Sequence, residues 1–203
     1  MRPRTFHWLF LVGVSLLVVA ACSSQPQQAA PPAAKAPTEP VFRTATTFKD
    51  IMDSMVDPSA DYLWDSVATI ITKNGTDERR PRTDDDWKKV RRAAVTLVEA
   101  TNLLIMDGRK VAKPGEKSEN PGIELSPEAI RRVMDDDPAT LVKLAHALHD
   151  AGMKTLAAID AKNADALSDA GENIDEACEN CHLKYWYPPD AEKIEGAGSV
   201  RKK

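Results

Sequence analysis

Between Thr47 and Tyr185 the apolar residues recur at three- and four-residue intervals, and no run alternates over the length of a strand. A chain patterned this way buries one face of each of several helices, and that requirement limits the fold more than any other feature. Composition agrees. Nine glycines and 5% aromatic residues leave little material for a glycine-dependent nucleotide fold or a β-sandwich, while 29% charged residues furnish solvent-facing helix surfaces. The 203 residues suffice for one globular domain with extensions. The formal net charge is -4, and residues 1–21 carry Arg2 and Arg4 but no acid, so their removal leaves the remainder at -6. An acidic chain of this kind argues against nucleic acid as the main partner.

The first residues read as an address. Arg2 and Arg4 precede an apolar stretch from Trp8 to Ala21 that is too short to span a bilayer comfortably, which is the form of an export signal. Its end, Val19-Ala20-Ala21-Cys22-Ser23, resembles the lipobox of bacterial lipoproteins, in which cleavage precedes a cysteine that is then lipidated. On that reading residues 1–21 are removed and the mature chain begins at a lipidated Cys22 in the periplasm. It is held at the membrane by acyl chains whose methylenes contribute about 0.8 kcal/mol each. A plain secretory signal with a coincidental cysteine is the alternative; both put the protein outside the cytosol, and neither decides between inner and outer membrane. Residues 22–43 are rich in Gln, Ala and Pro and form a tether with a reach of up to roughly 60 Å. The working domain is expected over 44–190, with a loose, charged tail over 191–203.

Four helices are expected in that domain. The first opens at Thr47, carries Phe48, Ile51, Met52 and Met55 on one face, is kinked or broken at Pro58, and resumes through Leu63, Val67 and Ile70 to Asn74 and Gly75. The second opens at Thr83 with Asp84, Asp85 and Asp86 against its positive end and runs through Trp87, Val90, Ala94, Leu97 and Leu104 to Gly108. A Pro- and Gly-containing connection follows, with one short helix from Ser126 to Met134. The third helix is capped by Asp137 and holds Leu141, Leu144, Leu148, Ala151 and Leu156 in a stripe until Asn163; the fourth carries Leu167, Ala170, Ile174, Cys178, Cys181 and Tyr185 and ends at Pro188 and Pro189. The architecture this implies is all-α, an antiparallel four-helix bundle.

The chemistry is concentrated in the fourth helix. Cys178-Glu179-Asn180-Cys181-His182 spells C-x-x-C-H, the attachment signature of a c-type haem. Positions i, i+3 and i+4 share a helix face, so both thiols reach the two vinyl groups of one haem while His182 reaches its iron. The pair could instead be a redox dithiol or half of a zinc site. A dithiol of the thioredoxin kind belongs at a strand-to-helix junction, and zinc would need a further ligand from His146 or His149, in the middle of another helix. An exported chain suits haem attachment, which occurs outside the bacterial cytosol.

A C-x-x-C-H on the last of four helices, with no Met following His182, resembles the class II c-type cytochromes, the cytochrome c prime family, as an architecture covering residues 44–187. The resemblance is closest to the low-spin members, in which a first-helix Met binds the iron, and it implies one covalent haem c with His182 and Met52 or Met55 as axial ligands. Two features depart from the family's compact pattern: the lipidated tether, and Pro58 together with the long connection between the second and third helices. In an up-and-down bundle the start of the first helix lies beside the end of the fourth. Met52 is five residues after Thr47 and His182 five before Tyr187, so both lie about 7–8 Å from that end. Met55 is one turn deeper, Met106 lies near the rim, and Met153 is too far along the third helix. Met52 is therefore the expected ligand and Met55 its alternative, against the background role of both as core filler.

Other candidates are weaker. His146 and His149 lie off or at the edge of the apolar stripe and read as surface residues. Trp64, Trp87 and Tyr185 could pack on the haem or simply in the core. Arg109 or Lys110 could pair with the propionates, and the acidic triplets Asp84–Asp86 and Asp135–Asp137 read as helix-start charge rather than metal ligands. The expected function is a one-electron carrier at the cell envelope, not an enzyme. Its partners are redox proteins and, through Cys22, the lipid membrane, with a homodimer also allowed. The alternative is a five-coordinate cytochrome c prime type that binds nitric oxide or carbon monoxide, and a haem with a purely structural role is a third. Peroxidase chemistry is disfavoured by the single C-x-x-C-H and the lack of an acid-base pair beside it.

Overall fold

The computed structural model describes residues 41–200. The expected export signal, Cys22 and the tether as far as residue 40 lie outside the described residues. Among the described residues no helix is long and apolar enough to cross a membrane.

The first helical segment is built in three pieces: α1 (Phe48–Ile51), a π-helical turn (Met52–Val56) and α2 (Asp57–Asp65). Thr47 opens it with a capping box, accepting from the Asp50 N–H while the Asp50 carboxylate accepts from the Thr47 N–H. The next free donors, the N–H groups of Phe48 and Lys49, bond the carbonyls of Lys110 and Val111 at 2.7 and 2.9 Å, so the connection after the second long helix covers this helix start. Pro58 was expected to break or kink the helix, because its ring clashes with the carbonyl four residues back and it has no N–H to give. The chain instead stays helical. The turn before Pro58 widens so that the Asp57 N–H reaches the Met52 carbonyl, five residues away, and Pro58 sits in the tolerant first turn of α2.

The expectation that this helix continues to Asn74 is wrong. It ends at Asp65, and β1 (Thr69–Thr72) pairs antiparallel with β2 (Gly75–Glu78), Thr69 opposite Glu78 and Thr72 opposite Gly75. The cause is legible afterwards. Thr69, Ile70, Ile71 and Thr72 are four β-branched residues in succession, which are stiff in a helix and fit a strand. Asn74-Gly75 is a hairpin turn rather than a helix stop, and Gly75, at φ 132°, supplies the conformation that a side chain would resist. The fold is thus mostly helical, compatible with the expected all-α class, with one exposed hairpin added to it.

The remaining helices follow the apolar periods. They are α3 (Asp84–Leu104), α4 (Pro127–Asp136), α5 (Pro138–Asp160), α6 (Ala164–Tyr185) and α7 (Ala191–Val200). Thr83, Ser126 and Asp137 cap α3, α4 and α5 as expected; Asn163, expected to end the third helix, caps the fourth by accepting from the Ala166 N–H. The acidic triplets divide. Asp84–Asp86 do sit in the first turn of α3, but Asp135 and Asp136 end α4, Asp135 pairing with Arg131, and only Asp137 lies at a helix start. The tail expected to be loose is also helical: Ala191 is buried against Leu125 and Ala129, and the Ser126 hydroxyl donates to Glu195 at 3.1 Å.

Helix α5 packs on α3 and α6, and α2 packs on the same two, so these four close a ring around Val56, Leu63, Val90, Leu97, Leu148 and Ile174. The α3–α5 contact depends on Gly152, where a Cβ would stand 2.6 Å from Val98 Cγ2. Gly152→Ala gains about 1 kcal/mol in helix propensity but meets overpacking that costs about 1–3 kcal/mol, and Val, with a single stiff rotamer, yields little. Denaturant titration is expected to show a net loss of about 1 kcal/mol, reversed in sign when the same change is made in Val98→Ala.

The cap at Thr47 gives a second expectation. Hydrogen bonds from Lys113 and from the Thr47 backbone and hydroxyl hold the Asp50 carboxyl down to about 2, below its ordinary value of 3.8. A carboxyl lowered in the folded state stabilises fully above its unfolded value and loses that contribution as the pH falls through the folded one. Thermal melts from about pH 5 to pH 1 should therefore show wild type losing its margin over Asp50→Asn progressively below pH 4, the last of it going only as the pH passes below about 2.

Candidate functional site

A cavity of about 280 Å³ lies within this framework, lined by residues from α1, α2, α3, α4, α5 and α6. Its α6 wall is Ala177, Cys178, Cys181, His182 and Tyr185, the residues that the helix period puts on one face. The opposing wall is a column of Phe48, Met52, Val56, Ala60 and Trp64, each four residues after the last. In an uninterrupted α-helix a four-residue repeat drifts by about 40° per step and would leave the cavity. The π turn takes up more residues than an α turn and drifts the other way, which keeps the column facing one space across α1 and α2. A second column, Ile51, Met55, Ser59 and Leu63, lies about 100° round the helix and does not line the cavity; Ile51, Ser59 and Leu63 are buried and Met55 packs on the central core.

The lining is mostly apolar. Leu125 and Met134 close it at 1% exposure each, while Asp53, Asp57, Lys117 and Glu119 are exposed at its mouth. Trp64 is fixed by its indole N–H, which donates to the Gly171 carbonyl at 3.0 Å. The Tyr185 hydroxyl is buried without a hydrogen-bond partner, which is costly unless a bound group supplies one.

Cys178 and Cys181 are free thiols, not a disulfide. Burial pushes Cys178 up to about 12, with the neighbouring Cys181, Asp175 and Asp57 adding to it, and burial alone pushes Cys181 up to about 11. Both are neutral thiols at physiological pH, the opposite of the low-pKa thiolate that a disulfide-exchange centre uses. His182 is lowered by burial, against the opposing pull of Glu179 and Asp57, and is also neutral. Its ring is flanked by Trp186, edge-on with centroids 5.0 Å apart, and by Tyr187, tilted at 5.7 Å. Neutral thiols on an apolar wall can form covalent bonds to a ligand and a neutral imidazole can donate its lone pair to a metal carried within it; they are poorly prepared for a bare cation.

The residues singled out from sequence separate in space. Cys178, Cys181, His182, Met52, Trp64 and Tyr185 share the cavity; Met55, Trp87, His146 and His149 do not line it. His146 is exposed and His149 half-buried 3.7 Å from Asp150. Met106 is held as an acceptor of the Arg109 guanidinium, and Met153 is 47% exposed. The suggestion that Arg109 pairs with a cofactor carboxylate is corrected: at 7% exposure it donates to the carbonyls of Leu103 and Thr46, both at 2.7 Å, and ties the end of α3 to the start of the domain. Lys110 is exposed and does not line the cavity, whose lining cations are Lys49 and Lys117. Sequence reasoning also missed Met134, buried in the cavity wall beside Cys181 and Tyr185. Its signal was the apolar pairing of Ala129, Ile130, Val133 and Met134 in a segment that otherwise reads as a connection.

Thiol chemistry provides a direct check. In the chain without an attached group, iodoacetamide is expected to label Cys178 and Cys181 at least about 100-fold more slowly than an exposed cysteine at neutral pH, with rates rising only above about pH 10. Mass mapping of the two sites reads this; ordinary labelling rates would contradict the burial argument. No family model, no curated protein and no solved structure matches this chain, so its functional reading rests on the site itself.

Proposed function

We propose that this protein is a monohaem c-type cytochrome of the class II kind, an exported one-electron carrier tethered to the membrane through Cys22. The ring of contacts among α2, α3, α5 and α6 supports reading the domain as an antiparallel four-helix bundle. Cys178 and Cys181 would hold haem c through thioethers, His182 would bind its iron through Nε2, and Met52 would take the sixth position. Bound there, haem supplies a one-electron ferric–ferrous couple, and a Met/His ligand pair raises its potential.

One observation carries this reading: Cys178, Cys181, His182 and Met52 line one largely apolar cavity, and Met55 does not. The chain's own residues then have definite tasks. Val56, Ala60, Leu104, Leu148 and Trp64 would exclude water from a group bound in the cavity, and the unpartnered Tyr185 hydroxyl has a donor to give to a polar group or water brought in with it. Lys49 and Lys117, the cations that line the cavity, would be available to carboxylates that a bound group left at the surface. Buried, apolar walls would keep the reorganisation cost of a charge change low, which suits electron exchange with redox proteins of the envelope rather than turnover of a substrate.

The test is the optical spectrum of the matured protein, ferric and ferrous, with and without carbon monoxide, for wild type, Met52→Ala, Met55→Ala and Met134→Leu. Covalent haem, low-spin iron, little gas binding and a far-red sulfur-to-iron band lost only in Met52→Ala are expected. High-spin iron that binds carbon monoxide in wild type would replace the carrier with the five-coordinate, gas-binding reading. Loss of the band in Met134→Leu instead would move the ligand to α4.

A further inference from the structure

We propose that Tyr187 and Glu179 are positioning residues for His182, and that together they fix its proton on Nδ1 and leave the Nε2 lone pair for the cavity. The proposal rests on the reading of His182 as an axial ligand and adds what holds that ligand. The Tyr187 hydroxyl lies 2.6 Å from Glu179 Oε2 and 3.4 Å from His182 Nδ1. A carboxylate only accepts, so the single hydroxyl proton goes to Glu179. What the hydroxyl then offers His182 is a lone pair, and only an N–H at Nδ1 can use it. An imidazole that carries a single proton at Nδ1 leaves Nε2 unprotonated.

The arrangement follows from how α6 stops. Pro188 disfavours a helical conformation at Tyr187, and the chain closes with the N–H groups of both Trp186 and Tyr187 on the His182 carbonyl, at 2.8 and 3.0 Å. That shared, widened ending folds Tyr187 back over the ring it follows by five residues, while Trp186 takes the other flank. Glu179, one turn before His182, points along the same edge of the helix. The chain Glu179–Tyr187–His182 therefore passes carboxylate character to the imidazole, makes it a more basic ligand, and favours the higher oxidation state of a bound metal.

Two readouts test this on the full chain. In the haem-free protein, nitrogen resonances of His182 are expected to show the Nδ1–H tautomer in wild type and a mixed population in Tyr187→Phe. In the haem-loaded protein, Tyr187→Phe and Glu179→Gln should each shift the reduction potential upward, and the double variant should shift no further than Tyr187→Phe alone, because Glu179 acts through the tyrosine. An Nε2–H tautomer in wild type would overturn the proposal, and so would a Tyr187→Phe protein with tautomer and potential unmoved. Additive shifts would overturn the relay through Tyr187. If the chain takes no covalent haem, the cytochrome reading fails by itself, and the tautomer readout still decides this one.

Discussion

One widened turn determines what the first helical segment can present to the rest of the molecule. Pro58 cannot be accommodated in a regular α-helix at that point, and a chain break there would separate Met52 and Val56 from Ala60 and Trp64. By letting the Asp57 N–H reach the Met52 carbonyl, the turn removes the clash and adds a rotation that cancels the drift of a four-residue repeat. Two straight columns result, both packed in the central core, and only one of them lines the cavity. The difference between Met52 and Met55 is a consequence of that geometry. They are three residues apart, which on a helix is usually the same face, yet they fall in different columns.

The other end of the cavity is governed by a different stop. Helix α6 has to end before Pro188, and its last residues close back on His182 instead of running into solvent. Termination and site are the same structural event here: the residues that satisfy the helix end are the residues that pack on the imidazole. The Trp186 carbonyl then accepts from the Leu125 N–H at 2.7 Å, which fixes the connection ahead of α4 and brings α4, with Met134, against the cavity. A local backbone constraint set by two prolines thereby positions side chains from three separate segments.

These relations mark where the sequence was legible. The long helices and their caps were readable because each cap residue bonds within three positions of itself, and the cysteine and histidine spacing was readable because one helix face fixes it. The hairpin was not read, although four β-branched residues before Asn74-Gly75 carry its signal, because the preceding helical period seemed to continue through Ile70. Arg109 was misassigned because an isolated cation carries no sign of whether it will meet a carboxylate or cap a helix end. Met134 was overlooked because α4 lies in a connection, and which face of a short helix meets the core depends on contacts with α5, α6 and α7 that no local period encodes.

The electrostatics of the site favour one class of ligand over another. Deprotonating Cys178 and Cys181 in their apolar wall means reversing shifts that carry them to about 12 and 11, so a bare divalent ion would have to offset that cost before gaining anything from coordination. A ligand that takes the thiols as neutral groups, and the imidazole through a lone pair already free, meets no such cost. The charged residues at the mouth, Lys49, Asp53, Asp57, Lys117 and Glu119, stand where solvent can share the task of stabilising whatever charge the ligand leaves outside. An apolar interior of neutral donors with charged residues at the rim is the feature on which the proposed covalent cofactor rests, because such walls hold few dipoles that a one-electron change of charge would have to turn.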